Sequence, residues 1–261
     1  MTTQTVIFFG AHPDDETILT GGTLALLAQR GFRVVVVCAT RGEGGEVGEP
    51  PVTDNRHQLG VIRETELRCA CQALGVDEVI FLPYQDPVIG PGEELYAFEH
   101  DLDTLLAQVQ DILMRYQPLL VLSHGSDGEY GHPAHRLLHQ VTLQTVQSAP
   151  SSPLLYSVAA QVPGIEDRLW NQSDPAHLAI DITSWAEIKL AAATCHLSQH
   201  ALFKRRRKLT SIRDALRLVE GFYRHWPPPD TAPNDVFAAL MLEAGAWRPD
   251  HTGATQREIH D

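Results

Sequence analysis

Cysteine is scarce in this chain, and the spacing of the few cysteines excludes a zinc ribbon. Positions 38, 69, 71 and 195 include no CxxC pair, which a ribbon requires. In a chain of 261 residues, so few cysteines are typical of reduced thiols and not of a disulfide framework. We therefore expect Cys38, Cys69, Cys71 and Cys195 to be free thiols.

Long apolar runs are also absent. No stretch of about 18 apolar residues occurs, and even the run 34–39 is bounded by Arg33 and Arg41, so no membrane-spanning helix is expected. The first residues carry no positive charge, and the apolar run 6–9 is too short for the core of a secretory signal. These absences predict a cytoplasmic protein.

Basic residues are outnumbered by acidic ones. The 20 Lys and Arg residues face 33 Asp and Glu residues, which gives a formal net charge of −13 at pH 7. Because an acidic protein repels a phosphate backbone, nucleic acid is not an expected partner. The one basic run, 204–208, should point all around a helix, which is typical of a solvated surface.

Short apolar runs alternate with amphipathic segments over the first half of the chain, and 43% of all residues are hydrophobic, enough for a full core. The predicted strands are residues 6–10, 34–39, 79–82 and 119–122. The predicted helices between them are residues 17–30, 59–74 and 101–116. Because parallel strands need long crossovers, this alternation predicts an α/β fold, a Rossmann-like and mostly parallel sheet with helices on both faces.

The pattern becomes looser beyond residue 150. The later predicted elements are strands at 154–158 and 177–182, an interrupted helical region at 184–222 and a helix at 234–244. A proline-rich stretch, 227–233, precedes the last helix, and the polar tail shows no apolar periodicity. We predict a single domain over residues 1–247 and a flexible C-terminal tail over residues 248–261.

Polar side chains gather immediately after the four predicted strands of the first half. Ligands of open α/β sheets bind beyond the carboxyl ends of the strands, so these four segments should converge. The segments are Ala11-His12-Pro13-Asp14-Asp15-Glu16, Thr40-Arg41-Gly42-Glu43, Pro83-Tyr84-Gln85-Asp86 and the stretch 123–135. We expect the active-site crevice at this edge of the sheet.

The first and fourth segments contain the side chains of a catalytic metal site. His12 and Asp15 are three residues apart, so one turn can aim both at a single point, and His135 completes a set of three ligands. Such a set with an open position suits Zn²⁺, with Fe²⁺ as the alternative. His139 is another candidate ligand, although its helical spacing is more typical of a surface histidine.

Each motif also has a simpler interpretation. Asp14 or Asp15 can cap the following helix, and His132 can be a surface turn residue. A nucleotide- or nucleotide-sugar-binding protein is disfavoured because no GxGxxG follows the first strand and the adjacent carboxylates would repel phosphate. A serine hydrolase would need a complete GxSxG. A non-catalytic metal- or ligand-binding module stays open, although the intact Asp14 argues against it.

The same segments resemble the paired signatures of the LmbE-like, or PIG-L, zinc-dependent deacetylase family. The two signatures are Ala11-His12-Pro13-Asp14-Asp15-Glu16 and Tyr130-Gly131-His132-Pro133-Ala134-His135. Further matching segments are Thr40-Arg41-Gly42-Glu43, Arg63-Glu64-Thr65-Glu66-Leu67 and residues 73–75, 181–183 and 196–199. The resemblance implies a Rossmann-like fold and hydrolysis of an N-acyl group, usually N-acetyl, from a small-molecule amino sugar or its conjugate.

The resemblance also implies a role for each matched residue. His12, Asp15 and His135 would bind zinc. Asp14 would be the general base that deprotonates the metal-activated water, and His132 would stabilise the oxyanion or assist as an acid. The residues expected around the substrate are Arg41, Glu43, Arg63, Asp86 and Tyr130. For Arg41 and Arg63 a structural ion pair is the alternative, and the oligomeric state, including a homo-oligomer, stays open.

One position departs from the family pattern. The family commonly has Asp where this chain has Ala134, and a carboxylate there would orient His132. Two alternatives follow. Either Asp127 or Glu129 substitutes for the missing carboxylate, or His132 works mainly as a neutral hydrogen-bond donor.

Overall fold

The structure is a computed structural model that describes residues 3–207, 209–229 and 232–252. The strands are β1 (Thr5–Gly10), β2 (Arg33–Thr40), β3 (Glu78–Tyr84), β4 (Leu120–Ser123), β5 (Leu154–Ser157), β6 (Ala160–Gln161), β7 (Asn171–Pro175), β8 (Leu178–Asp181) and β9 (Val219–Trp226). The α-helices are α1 (Asp15–Gln29), α2 (Arg56–Leu74), α3 (Leu102–Tyr116), α4 (Gly128–Gly131), α5 (Pro133–Ser148), α6 (Ala186–Cys195), α7 (His200–Arg207), α8 (Ile212–Ala215) and α9 (Val236–Glu243). Two 3₁₀ turns cover Thr183–Trp185 and Leu197–Gln199.

Seven strands form the central sheet, in the order β3-β2-β1-β4-β5-β9-β8. The first five of these run parallel, whereas β9 pairs antiparallel with both β5 and β8. Strands β6 and β7 form a separate parallel pair. The predicted α/β fold with a mostly parallel sheet is confirmed.

Alternate residues of β1 show why helices cover both faces of the sheet. Val6 and Phe8 pack into an apolar cluster with α1, α2, α6 and α9, while Ile7 and Phe9 pack into a second cluster with α3 and α5. Successive side chains of a strand point to opposite faces, so a strand that is apolar at every position is buried on both. The continuous apolar run at 6–9 therefore corresponds to a central strand.

The prediction of a helical region at 184–222 is wrong at its end, because β9 begins at Val219. The segment is rich in aromatic and β-branched residues, a composition that favours strands, and it fills the space between β5 and β8. At Gly221 a Cβ atom would lie 2.3 Å from the carbonyl oxygen of Ala160, so only glycine allows this close approach.

The expectation of four free thiols is also wrong. Cys69 of α2 and Cys195 at the end of α6 form a disulfide, whereas Cys38 and Cys71 are free and buried. The packing of α2 against α6 brings the two Cα atoms to 5.8 Å although the residues are 126 positions apart. Cysteine spacing carries no information about such a tertiary contact.

The basic run and the C-terminal tail lie partly outside the described residues, since Lys208 and residues 253–261 are not among them. Within the described part, the Arg205 side chain of α7 is half exposed and forms ion pairs with Glu46 and Glu49. At this residue, the expectation of a purely solvated basic run is wrong. The first residues of the tail contact the domain, because His251 Nε2 lies 2.9 Å from the carbonyl oxygen of Ala176. In the described ranges, no helix is long and apolar enough to cross a membrane.

A buried ion pair holds α1 against α6 and β9. Lys189 and Glu220 are both fully buried, with 2.8 Å between Nζ and Oε1. The Glu220 carboxylate also accepts hydrogen bonds from the backbone N–H groups of Gly22 and Thr23, at 2.9 and 2.8 Å. These N–H groups follow the non-helical residue Thr20, where α1 is kinked. Glu220 therefore bonds to the backbone of α1 directly after its kink.

We expect Lys189→Met to lower the free energy of unfolding by about 3–5 kcal/mol, because it leaves the Glu220 carboxylate buried without its cation. Urea unfolding followed by circular dichroism measures this change. The matched control is Arg213→Ala, which breaks the exposed pair between Arg213 and Glu187 and should have a much smaller effect. Equal effects of the two substitutions would contradict the role assigned to the buried pair.

Candidate active site

A cavity of about 1110 Å³, which includes space open to solvent, lies at the carboxyl ends of the parallel strands. Its floor consists of side chains that follow β1, β3 and β4 in the chain, together with one arginine from α2. These residues are His12, Asp14, Asp15, Arg63, Asp86, Tyr130, His132 and His135. Three of the four segments that the sequence predicted to converge contribute to this lining, whereas the segment 40–43 does not.

The three predicted metal ligands lie within a few ångströms of one another. His12 Nδ1 is 3.1 Å from His135 Nε2 and 3.7 Å from Asp15 Oδ2, and His135 Nε2 is 3.5 Å from Asp15 Oδ1. Ligands on a tetrahedron with bonds of about 2.0–2.1 Å to zinc are about 3.4 Å apart. The two distances to Asp15 end on different carboxylate oxygens. Among the described residues, the sets of three ligand atoms that all lie within 4.8 Å of one another belong to His12, His132 and His135 and to Asp15, His124 and His135. The chemistry of the donors, imidazole nitrogens and a carboxylate, suits a divalent metal ion.

Asp15 is held by the backbone of the turn that precedes it. Its Oδ2 accepts hydrogen bonds from the N–H groups of Ala11 and His12, at 3.0 and 2.8 Å. Burial alone would raise the pKa of Asp15, but His135 and His124 hold it well below its ordinary value. The carboxylate thus stays ionised and its Oδ1 faces His135.

Neither aspartate caps α1 with its side chain. Asp14 occupies the N-cap position, but its side chain accepts no hydrogen bond from the helix, and Asp15 bonds to residues that precede the helix. The backbone of Asp14 has φ 125°, a conformation that side chains rarely adopt, and its N–H donates to Glu16 Oε2 at 3.0 Å. The simpler interpretation of these carboxylates as helix caps is therefore wrong.

Arg63 is buried beside Asp14. Its Nη2 lies 3.3 Å from Asp14 Oδ2, and the guanidinium also donates to the carbonyl oxygens of Pro13 and Gly42, at 2.5 and 2.9 Å. Burial raises the pKa of the Asp14 carboxyl to about 6, and the charge of Arg63 opposes that rise. Arg63 therefore forms the ion pair that was the alternative to a substrate contact, and both members of the pair line the cavity.

His132 is placed as a neutral imidazole. Its Nδ1 accepts the backbone N–H of Ala134 at 3.2 Å, and burial lowers the pKa of His132 to about 3. A neutral ring that accepts at Nδ1 carries its proton on Nε2. Asp127 bonds to Ser173 and Glu129 bonds to other histidines, so neither replaces the carboxylate absent at position 134.

Both histidines of the predicted ligand set have a carboxylate near their second nitrogen. His12 Nε2 is 3.2 Å from Asp86 Oδ1, and His135 Nδ1 is 2.5 Å from Glu129 Oε2. Asp86, expected to contact substrate, lines the cavity and contacts His12 as well.

His124 is a buried site residue to which sequence reasoning assigned no role. The His124 ring stacks on the His135 ring with 3.8 Å between centroids. His124 Nδ1 lies 3.0 Å from Glu129 Oε2, and His124 Nε2 lies 3.3 Å from Asp15 Oδ2. Burial would lower the pKa of His124, but Glu129 and Asp15 raise it to about 10. The one available signal was its position directly after β4.

Two of the residues expected around the substrate make other contacts instead. Arg41 Nε is 2.6 Å from Glu64 Oε2, and Glu43 Oε2 accepts the backbone N–H of Asp86 at 3.1 Å. Neither is among the described residues that line the cavity, whereas Tyr130 is.

The expectation of a surface position for His139 is wrong. This side chain is buried and its Nδ1 lies 2.9 Å from the carbonyl oxygen of His124. The α5 face that carries His139 packs inward, so helical spacing alone placed it on the wrong side. His139 is in neither of the groups of described residues that could hold a metal ion.

Comparison with known sequences identifies close relatives. Residues 7–146 match the family described as PIG-L, GlcNAc-PI de-N-acetylase. The chain is 33% identical to the 1D-myo-inositol 2-acetamido-2-deoxy-alpha-D-glucopyranoside deacetylase of Acidothermus cellulolyticus, over 93% of this chain and 97% of that one. It is 30% identical to the enzyme of the same name from Thermobifida fusca, over 91% of this chain and 100% of that one.

Solved structures share the fold. The N,N'-diacetylchitobiose deacetylase of Pyrococcus horikoshii superposes with a TM-score of 0.62 at 21% identity, covering 87% of this chain and 88% of that one. The 4-carboxy-2-hydroxymuconate hydratase of Pseudomonas putida KT2440 superposes with a TM-score of 0.61 at 24% identity, covering 88% and 99%. Because one fold supports different reactions, this likeness bears on architecture alone. The family match over more than half of the chain, together with the near full-length relatives, shows that this chain belongs to the PIG-L family.

Proposed function

We propose that this protein is a metal-dependent hydrolase that removes the N-acetyl group from an N-acetylglucosamine conjugate. The observation that carries the proposal is the convergence of His12, Asp15 and His135 beside the Asp14 carboxylate at the floor of an open cavity. The names of the near full-length relatives, which are deacetylases of an acetamido sugar linked to inositol, support the same reaction class.

Zn²⁺ is the metal we propose, with Fe²⁺ as the alternative. His12, Asp15 and His135 would hold it, since two nitrogens and one carboxylate oxygen suit a catalytic site with an open position. When bound, a divalent ion polarises the carbonyl of the acetyl group and makes water a better nucleophile near neutral pH. The remaining chemistry belongs to side chains of the chain.

Asp14 is the proposed general base. Its carboxyl lines the cavity, and the pKa of about 6 lies close to the range in which a carboxylate can both accept a proton and give it back. Asp14 would take the proton of the attacking water and pass it to the nitrogen of the leaving amine. Arg63 keeps that carboxylate in place through the contact at 3.3 Å.

His132 is the proposed hydrogen-bond donor to the oxyanion. The ring is neutral because its Nδ1 accepts a backbone N–H, so Nε2 carries a proton that it can donate. A donor placed in advance at a developing oxyanion contributes about 3–4 kcal/mol to catalysis. This assignment needs no carboxylate at position 134, where Ala134 is fully buried in the apolar core.

Arg63, Asp86 and Tyr130 are the proposed contacts of the sugar hydroxyls, because all three line the cavity. We propose that Arg41 and Glu43 act indirectly instead, Glu43 by holding the backbone N–H of Asp86. The cytoplasmic location and a homo-oligomeric state stay predictions.

The direct test is to load the purified protein with Zn²⁺ and incubate it with N-acetylglucosaminyl-inositol and with free N-acetylglucosamine. We expect the release of a primary amine and one equivalent of acetate from the conjugate, both of which fluorescence labelling and chromatography detect. If zinc- and iron-loaded protein release neither product from either sugar, the proposed substrate class is wrong.

Asp14→Asn should keep the bound metal and lower kcat by about 10²- to 10⁴-fold, because it removes the proton acceptor while leaving the three ligands in place. Elemental analysis and the amine-release assay measure the two effects on one preparation. A variant with near wild-type kcat would show that Asp14 is not the general base.

His135→Ala should lose the metal, since it removes one of three protein ligands. The control is His57→Ala, which alters an exposed histidine and should retain the metal content of the wild-type protein. Metal content after dialysis against a weak chelator distinguishes the two variants. Full retention by His135→Ala would show that the metal binds elsewhere.

A further inference from the structure

Glu129 combines two unfavourable features in one residue. Its backbone has φ 58° and ψ −63°, a conformation in which a side chain is strained and which glycine adopts more readily. Its carboxylate is completely buried, and a buried charge is unfavourable unless it is paired. A glycine here would avoid both costs, so the carboxylate itself must serve a purpose.

The Glu129 carboxylate contacts two histidines, one backbone N–H group and one side-chain amide. Oε2 lies 2.5 Å from His135 Nδ1 and 3.0 Å from His124 Nδ1. Oε1 accepts hydrogen bonds from the backbone N–H of Gly125 and from Asn171 Nδ2, both at 3.2 Å. Glu129 is not among the described residues that line the cavity, so it acts on other side chains and not on substrate.

Asn171, the first residue of β7, clamps both the backbone and the side chain of Glu129. Its Oδ1 accepts the backbone N–H of Glu129 at 2.9 Å, and its Nδ2 donates to Glu129 Oε1 and to the carbonyl oxygen of Val158, at 3.2 and 3.0 Å. The amide is fully buried. A Cβ at Gly125 would lie only 2.2 Å from Asn171 Cγ, so the loop has room for this amide only because residue 125 is glycine.

The Glu129 carboxylate lies at the Nδ1 atom of His135, and this position determines its effect on the ring. A carboxylate at Nδ1 keeps the proton on that nitrogen and leaves the lone pair on Nε2, and it also prevents rotation of the ring. In His135 that second nitrogen is the one that faces His12 Nδ1 and Asp15 Oδ1, at 3.1 and 3.5 Å.

We propose that Glu129 is a positioning residue for the metal site, which fixes the ring and the tautomer of His135, and that Asn171 holds Glu129 in the strained conformation this task requires. The proposal rests on the proposed function in one respect, the role of His135 as a metal ligand. It adds two residues, one of them from a strand outside the central sheet, to the machinery of the site.

The test compares the zinc affinity of the wild-type protein with that of Glu129→Gln, by competition with a chromogenic chelator. The substitution keeps the shape of the side chain and removes its charge, so we expect affinity to fall by about 10- to 100-fold. The matched control is Asp127→Asn, two residues away in the same loop, whose carboxylate bonds to Ser173 and not to a histidine. This control should bind zinc as the wild-type protein does.

The visible absorption of the Co²⁺-loaded proteins supplies a second readout that a loss of stability alone would not move. We expect the bands of Glu129→Gln to differ from those of the wild-type protein and of Asp127→Asn, because a turned imidazole changes the ligand field. Unchanged affinity together with an unchanged spectrum would overturn the proposal and leave the proposed function intact. If the wild-type protein itself bound neither metal, both proposals would fail.

Asn171→Ser keeps the test decisive if Glu129→Gln does not fold. It leaves the carboxylate in place and removes the clamp, so we expect weaker zinc binding with a smaller loss than for Glu129→Gln. Wild-type zinc affinity in a folded Asn171→Ser protein would overturn the role assigned to Asn171. Circular dichroism of the metal-free proteins shows which variants are folded.

Discussion

The parallel pairing of β1 with β4 is the contact on which the site depends. In this register Phe9 lies opposite Ser123, so both strands end at the same level of the sheet. The turn that follows β1 carries His12 and Asp15, and the loop and helix that follow β4 carry His135. Two segments more than a hundred residues apart therefore meet through backbone hydrogen bonds that are independent of the side chains they deliver.

Strain and buried charge are concentrated at this edge of the sheet. Asp14 and Glu129 both have positive φ, and a residue held in such a region costs about 1–3 kcal/mol. The surrounding contacts stabilise both conformations: Glu16 accepts the N–H of Asp14, and Asn171 accepts the N–H of Glu129. The strained residues of the site therefore lower the stability of the fold locally. The apolar clusters on both faces of the sheet stabilise the rest of it.

Buried carboxylates and histidines lie in direct contact at the site. Asp15 and Glu129 are buried carboxylates that both lie within 3.3 Å of His124, and they raise its pKa. His124 Nε2 also accepts the backbone N–H of Ala11 at 3.0 Å. Burial lowers the pKa of His135 well below its ordinary value, which favours the neutral ring. A metal ligand must be deprotonated, and the surroundings of His135 favour that state.

Local patterns were sufficient for much of this description. The apolar runs indicated the five parallel strands because such strands are buried on both faces, and the spacing of His12 and Asp15 indicated that one turn would bring them together. The rule that parallel strands end at one edge extended this prediction to His135. The aromatic strand β9 was missed because its partners β5 and β8 are distant in sequence.

The sequence by itself therefore determined the α/β class, the edge of the sheet where chemistry collects and the residue types available there. Only the tertiary structure decided that Glu129 contacts His124 and Asn171, that Cys69 bonds to Cys195, and that Arg41 and Glu43 are not among the described residues that line the cavity. The physical reason is that strand periodicity and turn spacing are local properties of the chain. Which distant residue a buried side chain contacts depends on how the helices and strands pack. No local sequence pattern predicts that contact.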